Sequence, residues 1–386
     1  TSGSIYIQSA QLETGLVATD VLTSGATTAK AGVLIDLPRI NYDANGENGA
    51  LLLEPSRQQL LQYSEYFGGW TLSNSTITSN ATTSPEGVNN ASLYTSTNVT
   101  NYVRNIITAS NATYTLSVFV KRVSTDEFRM NFSDGVTGEI RYVFNLADET
   151  STLTKSGGTI SGYSADFENY GNGWYRLHIT ATTNAGTAIT AYFETDNETG
   201  SFYLYGAMLE QNASYQSSYI PNHGTSGGVT RAADSCSVTG VSDVIGQTEG
   251  TLFAQVGEFP KENNGRIFGI SDGSTNKYII IIKNSTNTDF AVYVTNNGGQ
   301  VTYQGTGSLN DNSKIAVGYA NNDYVIYVNG TQVHTDTSAS VPTCSNIYVG
   351  QRENGSVTYI AGGSVKQATL FNERLTNAEL ATLTTL

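Results

Sequence analysis

Three short stretches in the C-terminal part of the sequence combine aromatic rings with carboxylate, amide and guanidinium groups. This combination can bind a sugar, because aromatic faces pack against sugar rings and the polar groups hydrogen-bond their hydroxyls. The candidates, in SDGSTNKY, VTYQG and GQRENGSVTY, are Asp272, Asn276, Tyr278, Tyr303, Arg352, Asn354 and Tyr359. We predict that these residues bind a ligand, and the alternative is that they belong to ordinary hairpin loops.

The stretch YDANGEN places oxygen ligands at alternating positions, Asp43, Asn45 and Glu47. This is the spacing at the start of a calcium loop, and Glu54 stands where a bidentate glutamate closes such loops. Two features favour a chance match: Asn48 occupies the position of the loop glycine, and the following NGALLLEP has the character of a strand. A structural calcium ion at these residues is therefore one of two open interpretations.

No arrangement of residues for catalysis stands out. Glycoside hydrolysis needs two carboxylates facing one bond, and no strand-like segment in residues 235–386 carries a Glu-x-Asp-x-(x)-Glu pattern. The three histidines, His178, His223 and His334, stand singly in the sequence. We therefore predict that the chain is not an enzyme.

The amino-acid composition restricts both the class of binding partner and the fold class that we expect. Of 386 residues only 13% are charged, and the net charge is −14 without any run of Lys and Arg. This balance argues against nucleic acid or an anionic membrane as the partner, and no apolar stretch is long enough for membrane insertion. The 39 Gly and 24 Tyr suit short strands and many turns. The two cysteines, Cys236 and Cys344, could form a disulfide.

Alternation of apolar and polar residues recurs along the chain. In YTLSVFVKR one face of a strand would carry Tyr114, Leu116, Val118 and Val120. Asn329-Gly330 separates two such runs and predicts a tight hairpin, because both residues tolerate positive φ. Short, evenly spaced strands of this kind predict an all-β fold of tandem antiparallel β-sandwiches.

Helical signals are few. TNAELATL has Thr376 and Glu379 in capping-box spacing, which predicts a short helix near the C-terminus. SRQQLLQYSEYF has Ser56 and Gln59 in the same spacing and predicts a second helix, with a strand as the alternative.

A repeated phrase indicates how the chain is divided. GSIYIQSAQLE at residues 3–13 and GSFYLYGAMLE at residues 200–210 agree at six of eleven positions, and an irregular stretch follows each. We expect the chain to be a fragment of a longer tandem protein, the alternative being that residues 1–13 pair into the sheet of the following domain. The predicted division is the last strand of an upstream repeat domain at 1–20, a linker at 21–49, a jelly roll at 50–210, a linker at 211–234 and a second sandwich at 235–386.

Three segments carry a resemblance to modules of bacteriophage tail and other virion proteins. They are DLPRINYDANGENGALLLEPSRQQLLQYSEYFGGW within residues 33–70, NYGNGWYRLHITAT, and FYLYGAMLEQNASYQSSYIP. Such modules resemble jelly-roll carbohydrate-binding modules, whose last strand commonly supplies an Asp to a structural calcium. Here Tyr205 and Gly206 stand near that place, while Glu65 remains in the opening strand as a candidate calcium ligand.

Residues 235–386 resemble a laminin-G-like, concanavalin-type sandwich, through GTLFAQVGEF, IAVGYANNDYVIYVNGTQV and the closing RLTNAEL. Together the resemblances imply a non-enzymatic tail- or head-fibre protein, exposed on the virion surface. It would bind a polysaccharide or cell-surface glycan for adhesion, contact other virion subunits, and form a homo-oligomer, with a trimer favoured. Two alternatives are a capsid or tail decoration without glycan binding, and the non-catalytic part of a secreted polysaccharide-processing protein.

Overall fold

The fold is described from a computed structural model. The structure describes residues 38–42, 47–184, 186–258, 261, 263–284, 290–305, 309–357, 360 and 362–386. The predicted strand at 1–20, most of the predicted linker at 21–49, and the candidate residues Asp43, Asn45 and Tyr359 lie outside the described residues. The described chain forms two compact units, Arg57–Arg231 (the N-terminal unit) and residues 38–56 with 232–386 (the C-terminal unit).

Within the described residues, nearly all regular structure is β-strand. The first strands are β1 Ile40–Asn41, β2 Ala50–Leu53, β3 Arg57–Gln59, β4 Thr71–Ser73, β5 Ser75–Thr82, β6 Ala91–Ser96, β7 Tyr102–Thr108, β8 Thr113–Arg122, β9 Glu127–Ser133, β10 Glu139–Asn145, β11 Thr150–Lys155, β12 Ile160–Asn169, β13 Trp174–Thr183, β14 Ala188–Thr195, β15 Ser201–Gln211 and β16 Val229–Arg231. The others are β17 Cys236–Thr239, β18 Glu249–Val256, β19 Arg266–Ser271, β20 Lys277–Lys283, β21 Phe290–Asn296, β22 Gly299–Gln304, β23 Lys314–Ala320, β24 Asp323–Val328, β25 Thr331–Asp336, β26 Asn346–Val349 and β27 Gly363–Phe371. One α-helix, α1 Asn377–Thr384, and a 3₁₀ turn at Phe67–Gly69 complete the set.

The N-terminal unit is a sandwich of two antiparallel sheets. The first, here called the front sheet, has the strand order β11-β10-β9-β14-β7-β4. The second, here called the back sheet, has the order β12-β13-β8-β15-β3-β16, with β6 pairing β15 and β5 pairing β6. A continuous apolar core contains inward side chains from both sheets. Its members include the four residues expected on one face of β8, all fully buried, so that prediction is confirmed.

The predicted helix at residues 56–67 is wrong. Residues Arg57–Gln59 form strand β3, which pairs with β15 and β16. The reason is the fully buried Gln59 side chain. Its amide nitrogen donates to the Ala207 carbonyl at 2.6 Å, and its oxygen accepts from the amides of Leu61 at 3.0 Å and Leu209 at 2.8 Å. These contacts satisfy backbone groups at a bulge in β15, which a helix at this position would leave unpaired.

The C-terminal unit is a second two-sheet sandwich. Its sheets have the orders β1-β2-β27-β18-β23-β24-β25 and β17-β26-β19-β20-β21-β22, with an apolar core between them. The Asn329-Gly330 hairpin joins β24 to β25 with φ of 47° and 82°, as predicted. The fold class, tandem antiparallel β-sandwiches, is therefore confirmed.

Helix α1 begins at the predicted capping box. The Thr376 hydroxyl accepts from the Glu379 amide, and the Glu379 carboxylate accepts from the Thr376 amide. The helix packs through Leu380 on the outer face of β23 and β24. In the described part of the chain, no helix is long and apolar enough to cross a membrane.

The division of the described chain differs from the predicted boundaries. Strand β2, placed in the jelly roll by the sequence, pairs with β27 and buries Leu53 in the C-terminal core. Arg39, from the predicted first linker, binds Glu54 at 2.7 Å and also pairs with Asp234 from the predicted second linker. Glu54 thus forms an ion pair within the described chain, and the calcium interpretation of Asp43, Asn45 and Glu47 stays a prediction.

Residues 211–231 of the predicted second linker belong to the N-terminal unit, where β16 pairs with β3. Cys236 and Cys344 are both free thiols, so the structure contains no disulfide between them. Burial raises the pKa of Cys344 to about 12, which keeps this thiol protonated.

Replacing Gln59 by Ala tests the role of the β15 bulge. Gln59→Ala should lower the free energy of unfolding by roughly 2–4 kcal/mol, because three buried backbone groups lose their partner. The neighbouring half-buried Gln58, whose amide donates only to the exposed Gly227 carbonyl, is the matched control, and Gln58→Ala should change stability by under about 1 kcal/mol. Urea unfolding of both variants measures the difference; equal effects would contradict this account.

Candidate functional site

The outer face of the front sheet carries a cleft of about 460 Å³. Its walls come from β7, β9, β10 and β14 and from the loops that flank them. The lining residues are Val99, Thr100, Asn101, Tyr102, Arg129, Asn131, Ser133, Glu139, Arg141, Tyr192, Glu194 and Asn197. None of these residues was predicted from the sequence as a site residue.

The cleft residues face outward because their chain neighbours are buried. Val103, Met130 and Phe193 are fully buried in the core between the two sheets. Successive side chains of a strand point to opposite faces, so Tyr102, Asn131 and Tyr192 must lie on the outer face. Burial of the apolar set thus determines which polar residues line the cleft.

One cross-strand row runs through the middle of this face. Tyr192 is paired with Asn131 on one side and with Arg104 on the other, and Asn131 is paired with Arg141. Arg141 in turn is paired with Lys155 of β11. Because neighbouring strands lie about 4.8 Å apart, the row extends roughly 19 Å from Lys155 to Arg104. We call it the polar row.

Two tyrosines and an arginine form one end of the site. The rings of Tyr102 and Tyr192 meet edge to face with their centroids 5.4 Å apart. The guanidinium carbon of Arg104 lies 5.2 Å from the Tyr102 centroid and 5.6 Å from the Tyr192 centroid. Its Nη1 donates to the Tyr192 hydroxyl at 3.1 Å, which fixes the orientation of both groups.

Glu139 anchors the other end. Its carboxylate accepts from Asn131 Nδ2 and from Arg141 Nη2, both at 2.7 Å, and it also pairs with Lys155 Nζ. Burial by itself would raise the pKa of Glu139, but the hydrogen bond from Lys155 and the charges of Arg141 and Lys155 outweigh burial and lower it. The carboxylate is therefore ionised and already committed to these donors at neutral pH.

Arg129 is likewise occupied by carboxylates. Its Nε donates to Glu194 at 3.0 Å, Nη2 binds the same carboxylate oxygen, and Nη1 donates to Asp196 at 2.7 Å. Burial raises the pKa of Glu194, while the hydrogen bond from Arg129 and its charge act against that rise. This cluster orders the floor of the cleft beside the polar row.

Three polar atoms on this face lack a hydrogen-bond partner within the described chain. They are Asn131 Oδ1, Arg104 Nε and Arg141 Nε. Asn131 is only 5% exposed, so its oxygen needs a donor that water or a ligand hydroxyl can supply. The arrangement of an aromatic corner, unsatisfied polar atoms and fixed charges suits binding of a polyhydroxylated molecule.

The structure brings some of the predicted ligand-binding residues together. Asp272 and Asn276 are exposed in the turn between β19 and β20, where Asp272 Oδ1 accepts from the Ser274 amide at 2.9 Å. The loop with Arg352 and Asn354 reaches this turn, because the Ser271 hydroxyl donates to the carbonyl of Glu353. The ligand-binding role of these four residues stays a prediction.

The two described tyrosines among those candidates are strand residues rather than loop residues. Tyr278 in β20 packs on the outer face beside Ile280 and Ile282. Tyr303 in β22 packs against Phe290 at 5.4 Å and His334 at 5.1 Å between ring centroids. Burial raises the pKa of Tyr303, in keeping with a packing role.

The two described candidate calcium ligands, Glu47 and Glu65, belong to different compact units. Glu47 is exposed in the C-terminal unit, whereas Glu65 is buried in the N-terminal unit and accepts from the Tyr219 hydroxyl at 3.2 Å. Burial raises the pKa of Glu65; the charge of His223 opposes this rise, and that of Glu86 adds to it. Among the residues that the structure describes, no group of three or more His, Cys, Asp or Glu could hold a metal ion.

The sequence contained a signal for the cleft that residue chemistry by itself did not reveal. In EFRMNFS the polar residues Arg129 and Asn131 alternate with Phe128, Met130 and Phe132, and AYFET shows the same alternation. This pattern identifies polar strand faces. It does not reveal that β7, β9, β10 and β14 are neighbours in one sheet, which is what assembles the cleft.

Comparison with known proteins supports the resemblance of the C-terminal unit. The Laminin_G_3 family, described as the concanavalin A-like lectin/glucanases superfamily, matches residues 254–381. The predicted laminin-G or concanavalin-like character is thereby confirmed over that range. A search of the curated proteins found no match.

Several solved structures match parts of this chain at low similarity. The Ruminococcus gnavus IT-sialidase CBM40 is 16% identical with a TM-score of 0.33, and the match covers 39% of this chain and 96% of that one. The NanB sialidase from Streptococcus pneumoniae is 18% identical with a TM-score of 0.32, covering 39% of this chain and 26% of that one. Mouse laminin alpha1 domains LG4-5 are 10% identical with a TM-score of 0.27, covering 82% and 94%. Likeness at this level carries no argument about a ligand.

The pKa of Glu139 gives a test of the polar row. Its folded-state pKa is lowered below the ordinary value of 4.5, so its stabilising contribution is present above that pH and is lost as pH falls below it. Glu139→Gln should therefore reduce the free energy of unfolding by about 0.5–1 kcal/mol at neutral pH, and the difference from wild type should vanish in acid.

Urea unfolding at neutral pH and at a pH well below 4.5 provides the measurement. Asp148→Asn, which removes an exposed carboxylate in a turn, is the control and should destabilise the fold less than Glu139→Gln at neutral pH. A Glu139→Gln effect that persists unchanged in acid would refute the ionised, ion-paired state of Glu139.

Proposed function

We propose that this protein is a non-enzymatic bacteriophage virion protein that binds a host-surface or environmental glycan through the front-sheet cleft. The observation that carries the proposal is the corner of Tyr102 and Tyr192 beside Asn131, whose buried oxygen has no donor within the described chain. Sugar rings offer apolar C–H faces to aromatic rings and hydroxyls to polar groups, and both complements are present here. The polar row is long enough to contact several sugar rings in succession.

The state of the two cleft carboxylates supports binding over hydrolysis. A glycosidase needs one carboxylic acid that can protonate the leaving oxygen and a second carboxylate that attacks or activates water. Glu139 is held by three donors, and Glu194 is bound by two nitrogens of Arg129. Neither carboxylate is positioned to transfer a proton to a ligand without first breaking its ion pair.

Placement on a virion rests on the sequence segments that resemble phage tail and head-fibre modules. In such a fibre the protein would be exposed at the virion surface, contact other virion subunits and form a homo-oligomer, most simply a trimer. Repetition of a weak site within the oligomer would raise the overall affinity through multivalency. The exposed turn at Asp272–Asn276 and the loop at Arg352–Asn354 are proposed as a second sugar-contacting surface.

Removing one aromatic ring tests the cleft directly. Tyr102→Ala should weaken binding of a glycan identified by array screening about tenfold, because an aromatic contact contributes roughly 0.5–1.5 kcal/mol beyond its buried area. The control is Tyr163→Ala, which removes an exposed tyrosine on β12 of the back sheet. Titration calorimetry of wild type and both variants, with analysis of the glycan for shortened chains, measures binding and hydrolysis together.

Unchanged affinity in a folded Tyr102→Ala variant would place the binding site elsewhere. Shortened glycan chains would contradict the non-enzymatic assignment. Absence of binding across host and environmental polysaccharides would leave a structural decoration as the better interpretation of the chain.

A further inference from the structure

The cations of the front sheet differ in how they are neutralised. Arg129 binds Glu194 and Asp196, while Arg141 and Lys155 share Glu139. Arg104 has no carboxylate partner among the described residues, and its one hydrogen bond goes to the neutral hydroxyl of Tyr192. A half-buried guanidinium thus remains uncompensated beside the aromatic corner.

Resting on the proposed function, we propose that the glycan bound by this cleft carries carboxylates and that Arg104 binds one of them. The Arg104 plane is held against both tyrosine rings, so little side-chain freedom remains to be lost on binding. Nη1 is used by Tyr192, and Nη2 makes no hydrogen bond within the described chain. A charge-assisted hydrogen bond from a guanidinium to a carboxylate is roughly twice as strong as a neutral one.

The other end of the polar row has the same sign of charge. Arg141 and Lys155 together exceed the single carboxylate of Glu139 by one positive charge, and Arg141 Nε has no partner. A polymer with repeated carboxylates could therefore contact Arg104 at one end of the row and Arg141 or Lys155 at the other. Its sugar rings would pass over Tyr192 and Asn131 between these ends.

The surrounding acidic groups restrict where such a polymer can lie. Asp126, Glu127 and Asp196 lie near Glu198 and make that side of the sheet unfavourable for an anion. The net charge of −14 also opposes an anionic ligand, but exposed charges are screened beyond about 8 Å at physiological salt. Whether an anionic ligand binds then depends on its contacts along the polar row, because a bound ligand would touch these residues directly.

The test compares acidic polysaccharides with their own uncharged derivatives. Polygalacturonate, alginate and hyaluronate are each titrated into the full chain by calorimetry beside the corresponding carboxyl methyl ester. Wild type should bind at least one acidic polymer about tenfold more tightly than its ester. Arg104→Met, which preserves side-chain length, should bring this ratio close to one, while Arg104→Lys should retain part of the preference.

Arg122→Met is the matched control, because Arg122 is an exposed arginine at the end of β8 in the back sheet. It should keep the wild-type ratio, and thermal unfolding of all variants verifies that they are folded. A folded Arg104→Met variant that retains the full preference for acid over ester would overturn the inference.

The outcomes also separate this inference from the proposed function. Equal binding of acid and ester, weakened for both by Tyr102→Ala, would overturn the acidic-glycan inference and leave glycan binding by the cleft intact. If the chain binds a neutral glycan in the array but none of the acidic polymers or esters, the acidic-glycan inference is likewise overturned and glycan binding by the cleft is left intact. Failure to bind any glycan would overturn both.

Discussion

Packing between the two sheets of the N-terminal unit is the constraint on which its candidate site depends. Phe128, Met130 and Phe132 of β9 enter the core, and this burial sends Arg129 and Asn131 to the opposite face. A register shift of one residue would exchange these two sets and bury charge in place of aromatic rings. The composition of the cleft is therefore protected by the same burial free energy that stabilises the fold.

Charge pairing then determines which groups on the outer face of the front sheet remain available to bind a ligand. Glu194 and Asp196 neutralise Arg129, and Glu139 ties Asn131, Arg141 and Lys155 together. These clusters order the surface, and within the described chain they leave Asn131 Oδ1 and Arg141 Nε without a hydrogen-bond partner. Arg104 differs from the other cations of the front sheet, since the rings of Tyr102 and Tyr192 hold it in position without neutralising its charge. Because Arg104 is held in place and keeps its positive charge, we propose that this end of the polar row selects ligands that carry a carboxylate.

Secondary structure could be predicted from the sequence where interactions between residues close together in the chain determine it. The alternation in β8 and the capping box of α1 were both confirmed, because each depends on neighbours within a few residues. The helix expected at residues 56–67 failed because Gln59 finds its partners in β15, about 150 residues further along the chain. The cleft was missed for the same reason: Arg104 and Tyr192 meet only through strand order, which alternation does not encode.

A crystal structure of the chain with an acidic oligosaccharide tests the central claim most directly. We expect a sugar ring against Tyr102 or Tyr192 and a ligand carboxylate within hydrogen-bonding distance of Arg104. An oligosaccharide bound only at the Asp272–Asn276 turn of the C-terminal unit, with the front sheet empty, would contradict the claim.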